Sequence, residues 1–244
     1  MLIENTLFGI RNKVEEAIEF LREYEPARGY YLAFSGGKDS QVCEHLLMRS
    51  GCKYDTHMNL TSVDPPELLR FVREHYPHID FIKPKKSMHQ LIVHKGFPPT
   101  RHIRYCCDWL KERGGKGRMI VNGIRREESA KRATYSFIEE SLKMKKTWFY
   151  RPILNWTEGD VWEYIEENKL PYCSLYDEGF SRIGCVMCPK AGKVQMQIEA
   201  KRWPHIYKMY LGAMDKGIKA AIEKGRVPGQ KTAQEMMDWW INGA

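Results

Sequence analysis

YYLAFSGGKDSQVCEHLLM, residues Tyr30–Met48, reads as a buried strand, a glycine turn and a helix. The strand is YYLAF, Tyr30 to Phe34, which follows Pro26 and Gly29; SGGKDS, Ser35 to Ser40, makes the turn. Each residue type in that turn has a use at an anion. Gly36 and Gly37 can take positive φ and let the backbone come close to a ligand. Successive N–H groups then make a nest for phosphate oxygens, and the helix that follows adds its N-terminal partial positive charge. Ser35 and Ser40 offer hydroxyls, and Lys38 offers a full charge. The spacing is not that of GxxxxGK[ST]. A plain SGG turn capped by Asp or Ser is the alternative, and the strand before and helix after favour the phosphate loop.

Working outward, strand and helix patterns alternate. Tyr54 to Leu60, Asp80 to Ile82, RMIVNG ending at Gly123, and Trp148 to Tyr150 read as strands. Helices are expected over Pro65 to Tyr76, Ser87 to Lys95, Arg104 to Arg113 and Thr157 to Asn168, the last with Thr157 as N-cap and Asp160 in the capping-box position. Leu7, Ile10, Val14, Ala17, Ile18 and Leu21 recur at helical spacing and predict one amphipathic helix at the start. After Pro189 the pattern is helical only, down to Trp239-Trp240. The expected fold is therefore α/β: a parallel, doubly wound sheet of about five strands with helices on both faces, plus a helical C-terminal tail. The expected domains are residues 1–189, carrying the loop and the paired cysteines, and a C-terminal extension, 190–244.

Composition agrees with a folded chain, with 43% hydrophobic and 29% charged residues in 244. No apolar run approaches the roughly 18 residues of a membrane helix, and MLIENTLFGIRNKVEE is not a secretory signal. A cytoplasmic location and no membrane partner are the expectations. Lys plus Arg number 39 against 31 acidic residues, a net charge of +8. That balance suits an anionic ligand, nucleotide or nucleic acid, and equally a generally basic surface.

Seven cysteines, an odd number, do not make a disulfide framework. Cys43, Cys52 and Cys173 read as core filler. Cys106-Cys107 and the CxxC of Cys185 and Cys188 form two pairs, and four thiolates in two pairs point to one metal centre. A redox dithiol is the alternative for the CxxC.

Taken together, these blocks resemble the PP-loop adenine-nucleotide enzymes, in the branch of the PAPS and APS reductases. SGGKDS matches the PP-loop, and TSVDPPE, Thr61 to Glu67, resembles the block after the second strand. CCDWLK, with Lys111 four residues after Cys107, matches the paired-cysteine block, and GIRREESAKR, Gly123 to Arg132, the GxRxxxSxxR block. RPILNWTEGDVWEYI, Arg151 to Ile165, and LYDEGFSRIGCVMCP, Leu175 to Pro189, match the last two. The resemblance implies an adenine nucleotide α-hydrolase-like fold binding ATP or another adenine nucleotide. Ser35, Gly36, Gly37, Lys38, Asp39, Ser40, Asp64, Gly123, Arg125 and Arg132 would line its site. Lys38, Asp39 and Arg125 would take catalytic roles, and Asp39 and Asp64 could hold Mg²⁺ or position the ribose. Arg125 and Arg132 sit after a strand end, where they can clamp phosphate or sulfate. The resemblance further implies a [4Fe-4S] cluster on Cys106, Cys107, Cys185 and Cys188, with Lys111 and Arg182 as charge that tunes it.

One departure matters. The family's reductases carry a catalytic cysteine near the C-terminus, and here no cysteine lies between Cys188 and residue 244. A thiolate nucleophile is not replaced by Met or Trp. Three readings follow: ATP pyrophosphate cleavage with adenylation and sulfur transfer to an acceptor; a sulfonucleotide reductase using an external thiol; or a non-catalytic iron–sulfur module. An electron- or sulfur-donor protein is the expected partner in the first two. Lys190, Lys193, Lys201, Arg202 and Lys208 beside Trp203, Tyr207 and Tyr210 fit either a nucleic-acid acceptor or an amphipathic helix with its rings in the core. Met236, Met237, Trp239 and Trp240 fit packing or a homodimer contact.

Overall fold

The computed structural model describes residues 1–7, 9–112 and 114–243, and only the backbone of residue 6. They group into two compact units, each assembled from separate stretches. The first comprises Met1–Met58, Glu67–Phe81 and Gly114–Ile183; the second comprises Asn59–Pro66, Ile82–Arg113 and Gly184–Ala244.

The chain opens with a hairpin, β1 (Ile3–Thr6) antiparallel to β2 (Gly9–Asn12), before α1 (Lys13–Glu23). This corrects the helix expected from Leu7 onward. Gly9 has φ +115°, which a helix cannot absorb. Asn12 caps α1 by accepting from the N–H groups of Val14 at 3.0 Å and Glu15 at 3.3 Å. Val14, Ala17, Ile18 and Leu21 are buried as the spacing predicts, whereas Leu7 and Ile10 lie exposed on the hairpin.

Next come β3 (Tyr30–Phe34), α2 (Lys38–Ser50), β4 (Tyr54–Asn59), α3 (Pro66–His75) and β5 (Asp80–Ile82). Helices α4 (Met88–Lys95) and α5 (Tyr105–Leu110) precede β6 (Met119–Val121) and the short α6 (Ala130–Ala133). Helix α5 is shorter than the expected Arg104 to Arg113, whose last residue lies outside the described residues. Then follow β7 (Ile138–Glu140), β8 (Trp148–Tyr150) and α7 (Glu158–Glu167), with Thr157 and Asp160 forming the expected capping box. Helices α8 (Lys193–Arg202), α9 (Pro204–Glu223) and α10 (Ala233–Ile241) complete the chain.

The sheet has strand order β5-β4-β3-β6-β8-β7. Strand β3 lies parallel to both β4 and β6, and β8 is parallel to β6. The α/β class with a parallel core and helices on both sides is as expected. The sheet has one strand more than anticipated, because β7 adds antiparallel to β8 at the edge. Strand β3 is nearly all buried, which is why it reads as a continuous apolar run. Beside the sheet, Lys13 Nζ donates to Asp160 Oδ2 at 2.8 Å and lies 2.6 Å from Glu4. Burial pushes the Asp160 carboxyl up, but the bonds from Lys13, the Met1 ammonium at 2.6 Å and Thr157 outweigh it and hold it well below the usual carboxylate range.

In the second unit the C-terminal helices carry the core. Tyr210 is buried and donates to the Val186 carbonyl at 3.1 Å, and Trp240 Nε1 donates to the Pro99 carbonyl at 2.6 Å. Helix α9 crosses α4 at Gly217, where a Cβ would meet the Ile92 carbonyl at 3.3 Å. Trp203, Tyr210, Met236, Met237 and Trp240 are all buried, so packing decides these positions rather than a strand-tracking surface.

Candidate nucleotide site and cysteine cluster

Strand order reverses at β3, and α/β folds place ligands beyond the carboxyl ends of strands at such a point. Two loops lie there. One is Ser35–Ser40, between β3 and α2; the other is the stretch after β6 that holds Gly123 and Arg125. A Cβ on Gly123 would come within 2.7 Å of the Asp39 backbone, so only glycine lets the two loops approach this closely.

Within the phosphate loop, Gly36 has φ +74°. A Cβ there would also strike Leu68 at 2.7 Å and Val72 at 2.8 Å. Gly37 departs from expectation: with φ −81° and ψ 159° it is the extended N-cap of α2, not a positive-φ residue. Ser40 Oγ donates to the Gly37 carbonyl at 2.8 Å and accepts from the Ser35 N–H at 3.2 Å, so the two serines lock the loop. Gln41 donates to the Gly36 carbonyl at 2.8 Å.

Lys38 is buried. Its ammonium donates to the Ser181 carbonyl at 3.1 Å and lies 3.1 Å from Glu158 Oε1. Its backbone N–H donates to the Tyr176 hydroxyl at 2.9 Å. Asp39 accepts from Arg125 Nε at 2.6 Å, which aims the buried guanidinium at the start of α2. Arg125 also reaches Glu127 at 3.1 Å. Arg132 pairs with Glu128. Its guanidinium is lowered by burial and by the neighbouring charge of Arg182, so Arg182 belongs with this basic group. Asp64, in the second unit, closes its own turn, accepting from the Thr61 N–H at 2.7 Å and hydroxyl at 2.8 Å. Tyr176, Glu158, Ser181 and Trp162 had no assigned role in the sequence; all four lay inside quoted blocks without a signal to single them out.

All four paired cysteines belong to the second unit, although Cys107 and Cys185 are far apart in sequence. Cys106 and Cys107 on α5, and Cys185 and Cys188 in the loop before α8, are part-exposed, whereas Cys43, Cys52 and Cys173 are buried, as expected of core thiols. The Cys106 thiol is pushed up by its bond to Cys107, by burial, and by Cys107, Cys185 and Cys188. Cys107 is held low by the bond from Cys106 and, against burial, by Lys111 and Arg104. Lys111 is raised chiefly by Cys185 beside it and also by Asp64, against burial. An all-thiol donor set with an ammonium beside it fits an iron–sulfur cluster in kind. Among the described residues, no group of three His, Cys, Asp or Glu side chains is arranged closely enough to hold a metal ion. No helix is long and apolar enough to cross a membrane.

An uncharacterized Methanocaldococcus jannaschii protein, MJ0066, is 30% identical over 82% of the chain, which spans 45% of that relative. A second from the same organism, MJ0973, is 28% identical over 75% of the chain, spanning 46% of the relative, so the chain is about half as long as either. The adenosine 5'-phosphosulfate reductase of Shouchella clausii is 26% identical over 78% of the chain and 84% of its own length. Among solved structures, the phosphoadenylyl-sulfate reductase of Candida auris superposes with a TM-score of 0.54 at 22% identity, covering 70% of this chain and 88% of that one. The FMN adenylyltransferase of Candida glabrata gives 0.53 at 17%, over 71% and 62%. These two likenesses concern the fold. The phosphoadenosine phosphosulfate reductase domain matches residues 29–191, two-thirds of the sequence, and the chain belongs to that family.

Proposed function

We propose that the chain binds an adenine nucleotide at Ser35–Ser40 and cleaves ATP to pyrophosphate, adenylating an acceptor that then receives sulfur. An acceptor oxygen attacks the α-phosphorus, the bond to the β-phosphate oxygen breaks, and pyrophosphate leaves with the electron pair. The step needs charge stabilisation at the leaving group, for which the loop N–H groups, Lys38 and Arg125 are suited. Asp39 keeps Arg125 oriented for it. Mg²⁺ would share the phosphate charge, and a sulfur donor would then displace AMP from the acceptor. Cys106, Cys107, Cys185 and Cys188 would hold a [4Fe-4S] cluster, which supplies electron or sulfur chemistry when bound.

The observation that carries this reading is the stretch after Cys188. No cysteine occurs there through residue 244, and α8, α9 and α10 bury Trp203, Tyr210, Met236, Met237 and Trp240. That segment is a packed helical layer and offers no thiol to attack sulfur on a nucleotide. A second reading, reduction of a sulfonucleotide by an external thiol, is favoured by the relatives named as adenosine 5'-phosphosulfate reductases. Anaerobically purified protein incubated separately with ATP, APS and PAPS, with thioredoxin and its reductase, separates the two. Pyrophosphate from ATP without sulfite supports the first; robust thioredoxin-dependent sulfite release establishes the second and overturns the first.

A further inference from the structure

The backbone N–H and the ammonium of Lys38, the groups it can offer a phosphate, both already have oxygen partners, on Tyr176, Ser181 and Glu158. Its backbone N–H, in the first turn of α2, is the kind of donor an anion takes at a helix N-terminus. It donates instead to the Tyr176 hydroxyl at 2.9 Å. Its ammonium is divided between the Ser181 carbonyl and the Glu158 carboxylate, each at 3.1 Å. The Tyr176 hydroxyl lies against the loop, 3.4 Å from where a Cβ on Gly37 would be. A phenol oxygen, a carbonyl oxygen and a carboxylate thus stand where phosphate oxygens would be received.

The ring that carries this hydroxyl is itself seated. Tyr176 packs edge-on to Trp162 at 5.1 Å and 90°, and Trp162 packs edge-on to Tyr172 at 5.3 Å and 86°. Burial raises the phenol, so it is neutral and its oxygen competes by hydrogen bonding alone. Glu158 competes by charge. A phosphate and the Glu158 carboxylate on one ammonium repel each other, and Glu158 is 46% exposed on its side chain, free to turn to water.

We infer that Tyr176, assisted by Glu158 and the Ser181 carbonyl, is a latch that occupies the phosphate-binding donors of Lys38 and must be displaced when nucleotide binds. This rests on the reading of Ser35–Ser40 as the nucleotide site. The latch lowers affinity for any phosphate ligand by the strength of the contacts it surrenders. It also ties binding to a movement of the segment around Tyr176.

The sign of one substitution decides it. Tyr176→Phe keeps the ring on Trp162 and removes only the competing oxygen. By calorimetric titration with ATP, and separately with inorganic pyrophosphate, Tyr176→Phe should bind about two- to tenfold tighter than wild type, the worth of one hydrogen bond. Glu158→Gln should also tighten binding, by a separate route. Weaker binding by Tyr176→Phe would make the hydroxyl a ligand contact, and unchanged binding would mean it blocks nothing; either overturns the latch while leaving the nucleotide site standing. If neither wild type nor variants bind either probe, with native far-ultraviolet dichroism retained, the nucleotide site and the latch fall together. As a second readout, Trp162 emission, isolated by difference from Trp162→Phe, should change on saturation with ATP. No change would mean that Tyr176 stays in place.

Discussion

Gly123→Ala tests whether the loop after β6 must lie against the first turn of α2. The added Cβ would come within 2.7 Å of the Asp39 carbonyl carbon and oxygen and 2.9 Å of its Cβ. Carbon atoms make contact at about 3.5 Å, so the two segments have to part by roughly 0.8 Å. The neighbour is backbone at the start of a helix anchored by the buried Val42, Cys43 and Leu46, and it cannot swing aside as a side chain would. Overpacking of this kind costs about 1–3 kcal/mol. For a chain of this size each kcal/mol is worth about 2–4 °C, so the melting temperature should fall by about 2–12 °C. The same displacement lengthens the 2.6 Å bond between Arg125 and Asp39. If the guanidinium then misses a phosphate, ATP affinity falls by about 1.5–3 kcal/mol, roughly ten- to 150-fold. Thermal melts by dichroism and titration with ATP measure both. Gly212→Ala is the companion: Gly212 is exposed in α9, a Cβ there meets nothing within 4 Å, and replacing a helical glycine should stabilise by about 0.5–1 kcal/mol. A Gly123→Ala protein that melts within about 1 °C of wild type and binds ATP equally well would refute the reasoning.

Anaerobically purified protein should be brown, with about four irons per chain and thiolate-to-iron absorption. Cys107→Ser or Cys185→Ser should bleach it and Cys43→Ala should not; colourless protein holding one zinc would overturn the cluster. Arg125→Ala should weaken ATP binding by about 1.5–3 kcal/mol in the same titrations, and an unchanged Kd would remove the guanidinium from the site. Lys13→Ala should cost about 1–3 kcal/mol by urea unfolding at pH 7, since it leaves the buried Asp160 carboxylate with only the Met1 ammonium and the Thr157 N–H as partners. Asp160 is depressed in the folded state, so this contribution is present above the unfolded carboxyl value near 3.9 and is lost as pH falls toward the lower folded one. The gap between wild type and Lys13→Ala should therefore shrink below about pH 4, and a constant gap down to that range and beyond would contradict the pairing.

What could be read from the sequence was local. The strand Tyr30–Phe34 announces itself by an unbroken apolar run, and α7 by Thr157 and Asp160 three residues apart. The hairpin before α1 was hidden because Ile10, Val14 and Ala17 keep helical spacing across a boundary that Gly9 and Asn12 impose. Strand β7 was missed because Ile138–Glu140 carries one apolar residue followed by two glutamates and owes its conformation to β8. At the candidate site, the loop residues and the cysteine pairs could be named from type and spacing. The partners of Lys38 could not, because Tyr176 lies 138 residues away and only the folded chain brings its hydroxyl to the loop. Glycine identity likewise said that Gly37 could adopt positive φ; the cap of α2 requires the opposite sign.

The interleaving of the two units has a consequence in time. Each is stitched from three stretches, and the last stretch of the second begins only at Gly184. On a ribosome, Cys106 and Cys107 emerge 78 residues ahead of Cys185, counting from Cys107. At about 5–20 residues per second, that leaves the first pair waiting roughly 4–16 seconds for the second. During this interval two neighbouring thiols are without the pair that the finished second unit brings into the same unit. The yield of protein with all four paired thiols reduced should therefore fall as aeration during synthesis rises, read by thiol titration of the purified chain.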